Sequence, residues 1–488
     1  MSNTRIRIIP ALDQSPVLVQ LAQHTVGKML LLAVFALGLH LHGSRWWWEL
    51  VLLLAAMSFW PQFRRPLLTA GTIYWLLRQH TRLKWDHLKH LFDGQELAIT
   101  TSWASYCLSL IITTILFCAV YYYLVKRSPG SWLYRRPVAT LLAGYILLLT
   151  FASYAPLSAI QRVYLWGFLI MLGHYIWYLA YSLQDRNAVP GTKFIYQLGH
   201  YQPFWGGSYT PFPKGAAYLR KIEAKNAEEL AISQLKGIKL LYWAFILSIV
   251  LGVFKLLVYG WPFYNLALPD HLAIPALNDA LAHTRSGEPY HWYINWAVLL
   301  ADFTKAMLTL SVWGHIIIAT CRMAGFKALR NTWNPLQSKT IAEFWNRYYY
   351  YFKELLVEFF FYPTYLRYFK TRPRLRMFMA TMAAAGLGNM LYHFIRDINI
   401  IMALGIWGAL KAFQGYIFYG LLLGTAIGLS QLRNQHRKQS THWLRTYITA
   451  PVTVLGFFCF SHLFGAPYPG YGLDVYFQFL MHMINIGV

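Results

Sequence analysis

The sequence predicts an all-α, polytopic integral membrane protein with about ten to twelve transmembrane or partial spans. Three observations carry that expectation. Hydrophobic residues make up 57% of the 488 positions and charged residues 12%, against roughly 25% charged in a typical soluble domain. The mean hydropathy is +0.36. Apolar runs recur down the chain, several of them reaching the roughly 20 residues that cross a bilayer as a helix.

Each run is bounded by polar or basic residues. Segments 29–42 and 46–60 are two short runs separated by Gly43, Ser44 and Arg45, the pattern of a tight helical hairpin. Segment 66–92 mixes apolar residues with Arg78, Arg82, Lys84 and Lys89, which suits a helix lying in the interface. Clear spans come next at 98–125, 137–160, 162–184, 238–259, 292–320, 377–395, 401–430 and 446–464, with a last apolar piece at 473–488. The polar start, Met1 to Gln23, predicts no cleavable signal peptide. No internal repeat is visible.

Charge sets the orientation and excludes other classes. The net charge is +25, from 43 Lys and Arg against 18 Asp and Glu. No basic stretch forms a separate polar domain, so nucleic-acid binding is not expected. The basic residues cluster between spans, as in Lys126, Arg127, Arg135 and Arg136, in 322–339, in 366–376, and in Arg433, Arg437, Lys438 and Arg445. Such loops face the cytoplasm, which leaves 261–291 and 465–472 outside. The order of spans before residue 98 stays open. Aromatic residues reach 18%, with 20 Trp and 35 Tyr, rings that gather at membrane interfaces. Cys107, Cys118, Cys321 and Cys459 lie in or beside apolar runs with no Cys-x-x-Cys pair. Neither a disulfide framework nor a metal site is expected.

Polar groups inside apolar spans are costly and mark function. In 377–395, Asn389 and His393 stand four apart, on one face of a helix. Histidine is suited to general-base chemistry near neutral pH, and an amide beside it orients the ring or polarises a substrate oxygen. The same spacing also suits a hydrogen-bonded helix–helix contact. Upstream, Asn334-Pro335 reads as a loop, and Ser338 or Thr340 as the N-cap of a helix over 341–362. That helix is dense in aromatics and carries Glu343 and Arg347 as an i,i+4 pair. It reads as the lining of a passage or as an amphipathic interfacial helix.

These residues resemble the motifs of the membrane-bound O-acyltransferase superfamily. The matching positions are Asn334-Pro335, Ser338, then Glu343-Phe344-Trp345-Asn346-Arg347-Tyr348-Tyr349, then His393 after Gly386-Leu387-Gly388-Asn389-Met390-Leu391-Tyr392. Gln202-Pro203-Phe204-Trp205-Gly206-Gly207 is similar to the family's Pro- and Gly-containing loop. Tyr349 stands where many bacterial members have a first histidine, and Phe394 replaces the glycine after the main one. The resemblance divides the chain into an N-terminal membrane region, 1–190, and an acyltransferase-like core, 191–488. It implies helices around an intramembrane tunnel, with His393 and Asn389 catalytic. It implies substrate-binding roles for Asn334, Glu343, Trp345, Arg347 and Tyr349. It also implies an acyl thioester donor, coenzyme A or an acyl carrier protein, and no bound cofactor. Bacterial members of this layout acylate exported or envelope glycans in the inner (cytoplasmic) membrane, often with a periplasmic or carrier partner protein; a lipid or small molecule is the other acceptor class. Outside this superfamily, the sequence also suits a transporter or channel with a polar intramembrane path.

Overall fold

A computed structural model describes residues 9–44, 46–78, 86–94, 101–188, 193–201, 203–206, 209–434, 443–465 and 471–486. Arg82, Lys84, Gln202, Gly207, Arg437 and Lys438 lie outside the described residues. Within them the chain is helical, with two isolated β-bridges and no strand. Six helices are long and apolar enough to cross a membrane: Trp103–Arg127, Pro137–Tyr154, Ala159–Asp185, Ala227–Tyr259, Trp292–Met323 and Gln414–Arg433. Two bent pairs raise the number to eight if each is one span: Pro16–Gln23 with Thr25–Leu41, bent by 99°, and Pro373–Arg396 with Ile398–Ala412, bent by 109°. These helices mark an integral membrane protein. The four cysteines are buried free thiols.

The chain forms two compact units. One comprises 1–79, 178–250 and 308–331, the other 80–177, 251–307 and 332–488. Both draw residues from either side of position 190, and the cuts at 177/178, 250/251 and 307/308 fall inside helices.

In the first unit, the hairpin expected at 29–60 is present as Thr25–Leu41 and Trp47–Phe59. Its interior shows how a mostly apolar unit handles polar atoms. Gln234 Nε2 donates to Ser58 Oγ (2.7 Å) and to the Met323 carbonyl (3.2 Å), while Ser58 Oγ donates to the Leu54 carbonyl (2.7 Å). Arg64 is buried at 2% exposure. Its Nη1 donates to Glu223 Oε1 (3.3 Å) and to the Ala224 carbonyl (3.1 Å). A buried cation persists only when paired and hydrogen-bonded in this way. Gly325 takes a positive φ of 89° beside it, and a Cβ there would meet the Arg64 guanidinium at 2.7 Å.

The second unit has a core of facing helices. Phe344 stacks on Phe458 with ring centroids 3.9 Å apart. Leu299, Leu423, Leu463 and Phe479 fill in around them. Three expected single helices are interrupted here. Segment 341–362 is broken at Tyr349 (φ −139°, ψ 74°) into Ile341–Tyr348 and Tyr350–Leu356, and continues into a π-helical turn at Val357–Phe361. Segment 377–395 contains a π-helical turn at Met382–Gly388 and ends at Arg396, and 401–430 is divided between Ile398–Ala412 and Gln414–Asn434.

His200, also in the first unit, is left unmatched. His200 is 1% exposed, and neither ring nitrogen has a hydrogen-bond partner. Burial pushes its pKa from 6.5 down to about 3. Between those values the unfolded chain binds a proton that the folded chain refuses. Stability contributed by the neutral ring is therefore complete above the unfolded pKa and is lost as the pH falls below it, by about 1.4 kcal/mol per pH unit. In detergent, the wild-type thermal midpoint should fall more steeply than that of His200→Gln between about pH 6 and pH 5. Parallel curves for the two proteins would contradict the assignment.

Candidate functional site

The loop and helix before the intramembrane histidine are held by their own polar residues. Thr340 Oγ1 accepts from Glu343 N (3.1 Å), and Glu343 Oε2 accepts from Lys339 N (2.7 Å). This is a reciprocal cap of the Thr-x-x-Glu kind, and it assigns the N-cap to Thr340 rather than Ser338. The expected Glu343–Arg347 ion pair is present at 2.6 Å. Arg347 Nη1 also reaches the carbonyl of Asn334 (3.4 Å), and its guanidinium lies 4.9 Å from the Trp333 ring centroid. Asn334 takes a left-handed conformation, φ 46°, which asparagine tolerates and which turns the chain into Pro335. Asn334, Glu343 and Arg347 therefore bind one another, clamping the loop to the first turns of its helix.

His393 is approached through aromatic rings. Trp345 and Tyr349 both contact Phe352, at 5.9 and 5.3 Å between centroids. Phe352 in turn lies 6.0 Å from the His393 ring and 4.6 Å from Tyr392. On another side, Tyr416 stacks on His393 at 4.3 Å with an interplanar angle of 28°. The Tyr416 hydroxyl accepts from Arg396 Nη2 (2.9 Å), and Arg396 makes a paired contact with Asp397 at 2.9 and 2.6 Å. The histidine is thus half-buried in a box of Phe352, Tyr392 and Tyr416, with a fixed guanidinium–carboxylate pair beyond one wall. Its Nδ1 has no hydrogen-bond partner.

Asn389, one turn earlier, is 1% exposed and its Oδ1 is also unpartnered. Leaving a buried amide oxygen unmatched costs about 1–3 kcal/mol. Two such atoms one turn apart on one helix face are hydrogen-bonding capacity that the protein itself leaves unused.

The position of this helix depends on close backbone contact. The π-helical turn Met382–Gly388 is built mostly of alanine and glycine, and π-turns concentrate at functional sites. Gly386 lies against Gly420 and Gly424 of Gln414–Asn434: a Cβ on Gly424 would sit 3.1 Å from Gly386 N, and one on Gly420 3.2 Å from Gly386 O. Phe360, in the other π-turn, covers Gly388, where an added Cβ would meet its ring at 2.6 Å.

Phe352, Tyr416, Arg396 and Asp397 are not among the residues singled out from the sequence. A guanidinium and a carboxylate next to each other three residues past His393 were the available signal. A second polar cluster in this unit was missed as well. Asp302 accepts from His462 Nε2 (2.8 Å) and is paired with Lys305 (2.5 Å), while Lys305 lies 5.2 Å from the Tyr259 ring centroid. Asp302 and His462 are far apart in sequence, and only folding joins them. Among the described residues no group of three or more His, Cys, Asp or Glu is placed to hold a metal ion.

Comparison of the chain with protein-family models gives no match, and comparison with curated proteins gives none at a significant level.

The glycine seam yields a direct test. Gly424→Val forces two helices apart and should lower stability by about 1–3 kcal/mol, the range for overpacking a filled interface. A thermal midpoint equal to wild type would show that the close approach of Gly386 and Gly424 does not hold the histidine helix.

Proposed function

We propose that the protein is a membrane-embedded O-acyltransferase in which His393 is the general base. The observation that supports this most is the half-buried His393 in its aromatic box, with an unpartnered Nδ1 one helical turn from the unpartnered Oδ1 of Asn389. The order of Asn334-Pro335, the Glu343-Phe344-Trp345 block and His393 agrees with the resemblance to the membrane-bound O-acyltransferase superfamily.

The groups present define the chemistry. The acceptor hydroxyl gives its proton to the imidazole of His393 as its oxygen attacks the carbonyl carbon of an acyl thioester. The tetrahedral intermediate collapses, the C–S bond breaks, and the imidazolium gives its proton to the departing thiolate, which leaves as the thiol and restores the neutral ring. Asn389 orients the ring, or its amide N–H donates to the developing oxyanion. Holding both reactants in line supplies much of the rate. Trp345, Tyr349 and Phe352 line the route to the base, and the Asn334–Glu343–Arg347 clamp fixes its entrance.

In this reading the shorter apolar helices, including Trp47–Phe59, Ala450–His462 and Leu473–Met483, complete the ten to twelve spans around a tunnel. The donor is a cytoplasmic thioester of coenzyme A or an acyl carrier protein. The first acceptor class is a hydroxyl of an envelope glycan at a bacterial inner membrane, with a lipid or small molecule as the second. A periplasmic or carrier partner protein would deliver or remove the acceptor, and membrane lipids surround the spans.

A second reading is a transporter with a polar path. It is favoured by the 109° break after Arg396 and by the Asp302–Lys305–His462 cluster, since broken helices and intramembrane charges line transport sites. It predicts that Asp302→Asn abolishes solute flux and that His393→Ala leaves acyl incorporation unchanged.

Washed membranes containing the protein and given a radiolabelled acetyl thioester provide the test. His393→Ala should lower label incorporation at least about 10²-fold at equal protein level. Asn389→Ala should raise the barrier by about 2.7–4 kcal/mol while leaving residual activity. The double variant should be little worse than His393→Ala alone, because groups acting as a unit are non-additive. Wild-type incorporation by His393→Ala would refute the assignment.

A further inference from the structure

A large cavity lies in the first unit, and none of the residues of the acyl-transfer reading lines it. It has a volume of about 1080 Å³, just above the roughly 300–1,000 Å³ typical of small-molecule sites. Its wall includes His200 and Gln197, both 1% exposed. Neither nitrogen of His200 has a hydrogen-bond partner, nor has Oε1 of Gln197. Two residues of the cavity wall thus carry three buried polar atoms without partners, and each such atom is costly until it is matched.

The charges around the cavity give the sign of that ligand. Arg64, Arg65, Arg220 and Lys225 line it, against Asp185 and Glu223. Both carboxylates are already engaged. Glu223 is bonded to Arg64 (3.3 Å) and Arg65 (2.9 Å). Asp185 Oδ2 accepts from Ala217 N (2.8 Å) at the start of helix Ala216–Ile222. The guanidinium of Arg220 is exposed and has no partner among the described residues, and Lys225 is exposed on the same rim. The cavity therefore presents the unpaired positive charge of Arg220 at an exposed position, with Lys225, which also faces Glu229, nearby in sequence, and neutral hydrogen-bonding groups at buried positions. A guanidinium fork matches the oxygens of a phosphate, and several cations together favour a group with more than one charged or accepting oxygen over a single carboxylate. The neutral His200 ring, able both to donate and to accept, suits an uncharged polar part of the same molecule. Leu68 and Leu219 add apolar wall.

We propose that this cavity is a binding site for a phosphate-bearing ligand, its phosphate held by Arg220 and Lys225 and its polar body by His200 and Gln197. The shared chemistry is the phosphate, carried either by a lipid headgroup or by a soluble phosphoester. The site stands on the first unit alone and does not depend on the acyl-transfer reading.

The purified full-length chain in a neutral maltoside detergent is dialysed to equilibrium against radiolabelled orthophosphate at constant ionic strength. In a second arm it is placed in nanodiscs of phosphatidylcholine with added phosphatidylglycerol, and retained lipids are counted by native mass spectrometry. Saturable orthophosphate binding at one site, weakened about tenfold or more in Arg220→Gln and unchanged in Arg127→Gln, supports the site with a soluble ligand. Retention of phosphatidylglycerol by wild type and its loss in Arg220→Gln, without orthophosphate binding, supports it with a lipid ligand. Arg220 is exposed, so its variant tests binding without threatening the fold, and His200→Gln then reports on the buried wall. The proposal is overturned if neither probe binds at a fixed stoichiometry, or if Arg220→Gln binds both as wild type does.

Discussion

A polar atom removed from water without a partner costs free energy, and the cost is highest where hydrocarbon surrounds the helix. That constraint organises this protein. With apolar residues in the majority, its polar side chains are few enough to be traced individually. Several of those buried satisfy one another. Ser58 and Gln234 serve each other and two carbonyls. Arg64 is closed by Glu223 and Ala224. Asp302 is closed by His462 and Lys305. Other buried polar atoms are left without a partner, Gln234 Oε1 and Arg64 Nε included, and among them are His393 Nδ1, Asn389 Oδ1, both nitrogens of His200 and Gln197 Oε1. His393 and Asn389 share a helix face in one unit, and His200 and Gln197 share a cavity in the other.

The same constraint explains the irregular helices. The backbone around the histidine makes π-turns at Val357–Phe361 and Met382–Gly388. A π-turn keeps the main chain hydrogen-bonded while rotating the next stretch of helix, so a segment can be re-aimed without exposing amides. The turn at 382–388 is tolerated because glycines 386, 420 and 424 let two backbones approach. It leads directly into the helix of Asn389 and His393. The end of that helix at Arg396 and the sharp bend into Ile398–Ala412 place the Arg396–Asp397 pair next to Tyr416, and Tyr416 forms one face of the histidine box.

Much of this was readable in the sequence, and the limits are physical. Apolar length and basic flanks identify helices because hydrophobic matching is local and additive along the chain. A cap at Ser338 or Thr340 and the Glu343–Arg347 pair were visible for the same reason: both act over three or four residues. The interruptions at Tyr349, Met382–Gly388 and Asp397 were not, because a run of apolar residues reads the same whether its helix is straight, bulged or bent. The aromatic box was out of reach too. Phe352 and Tyr416 meet His393 only after distant segments pack, and a chain with 31 Phe and 35 Tyr gives no reason to prefer these two. The cavity beside His200 joins residues from 61 to 326, so neither its volume nor its charge has a local signature.

The proposal that a thioester is attacked beside His393 is tested most directly by a density map of the protein with a non-reactive acyl thioester analogue, one whose sulfur is replaced by a methylene. The account predicts the analogue's carbonyl carbon within reach of the His393 ring, its oxygen toward Asn389, and its chain passing Phe352 and Trp345. Density for the analogue at Asp302 and His462 instead, with the box of Phe352, Tyr392 and Tyr416 closed around the histidine, would contradict it.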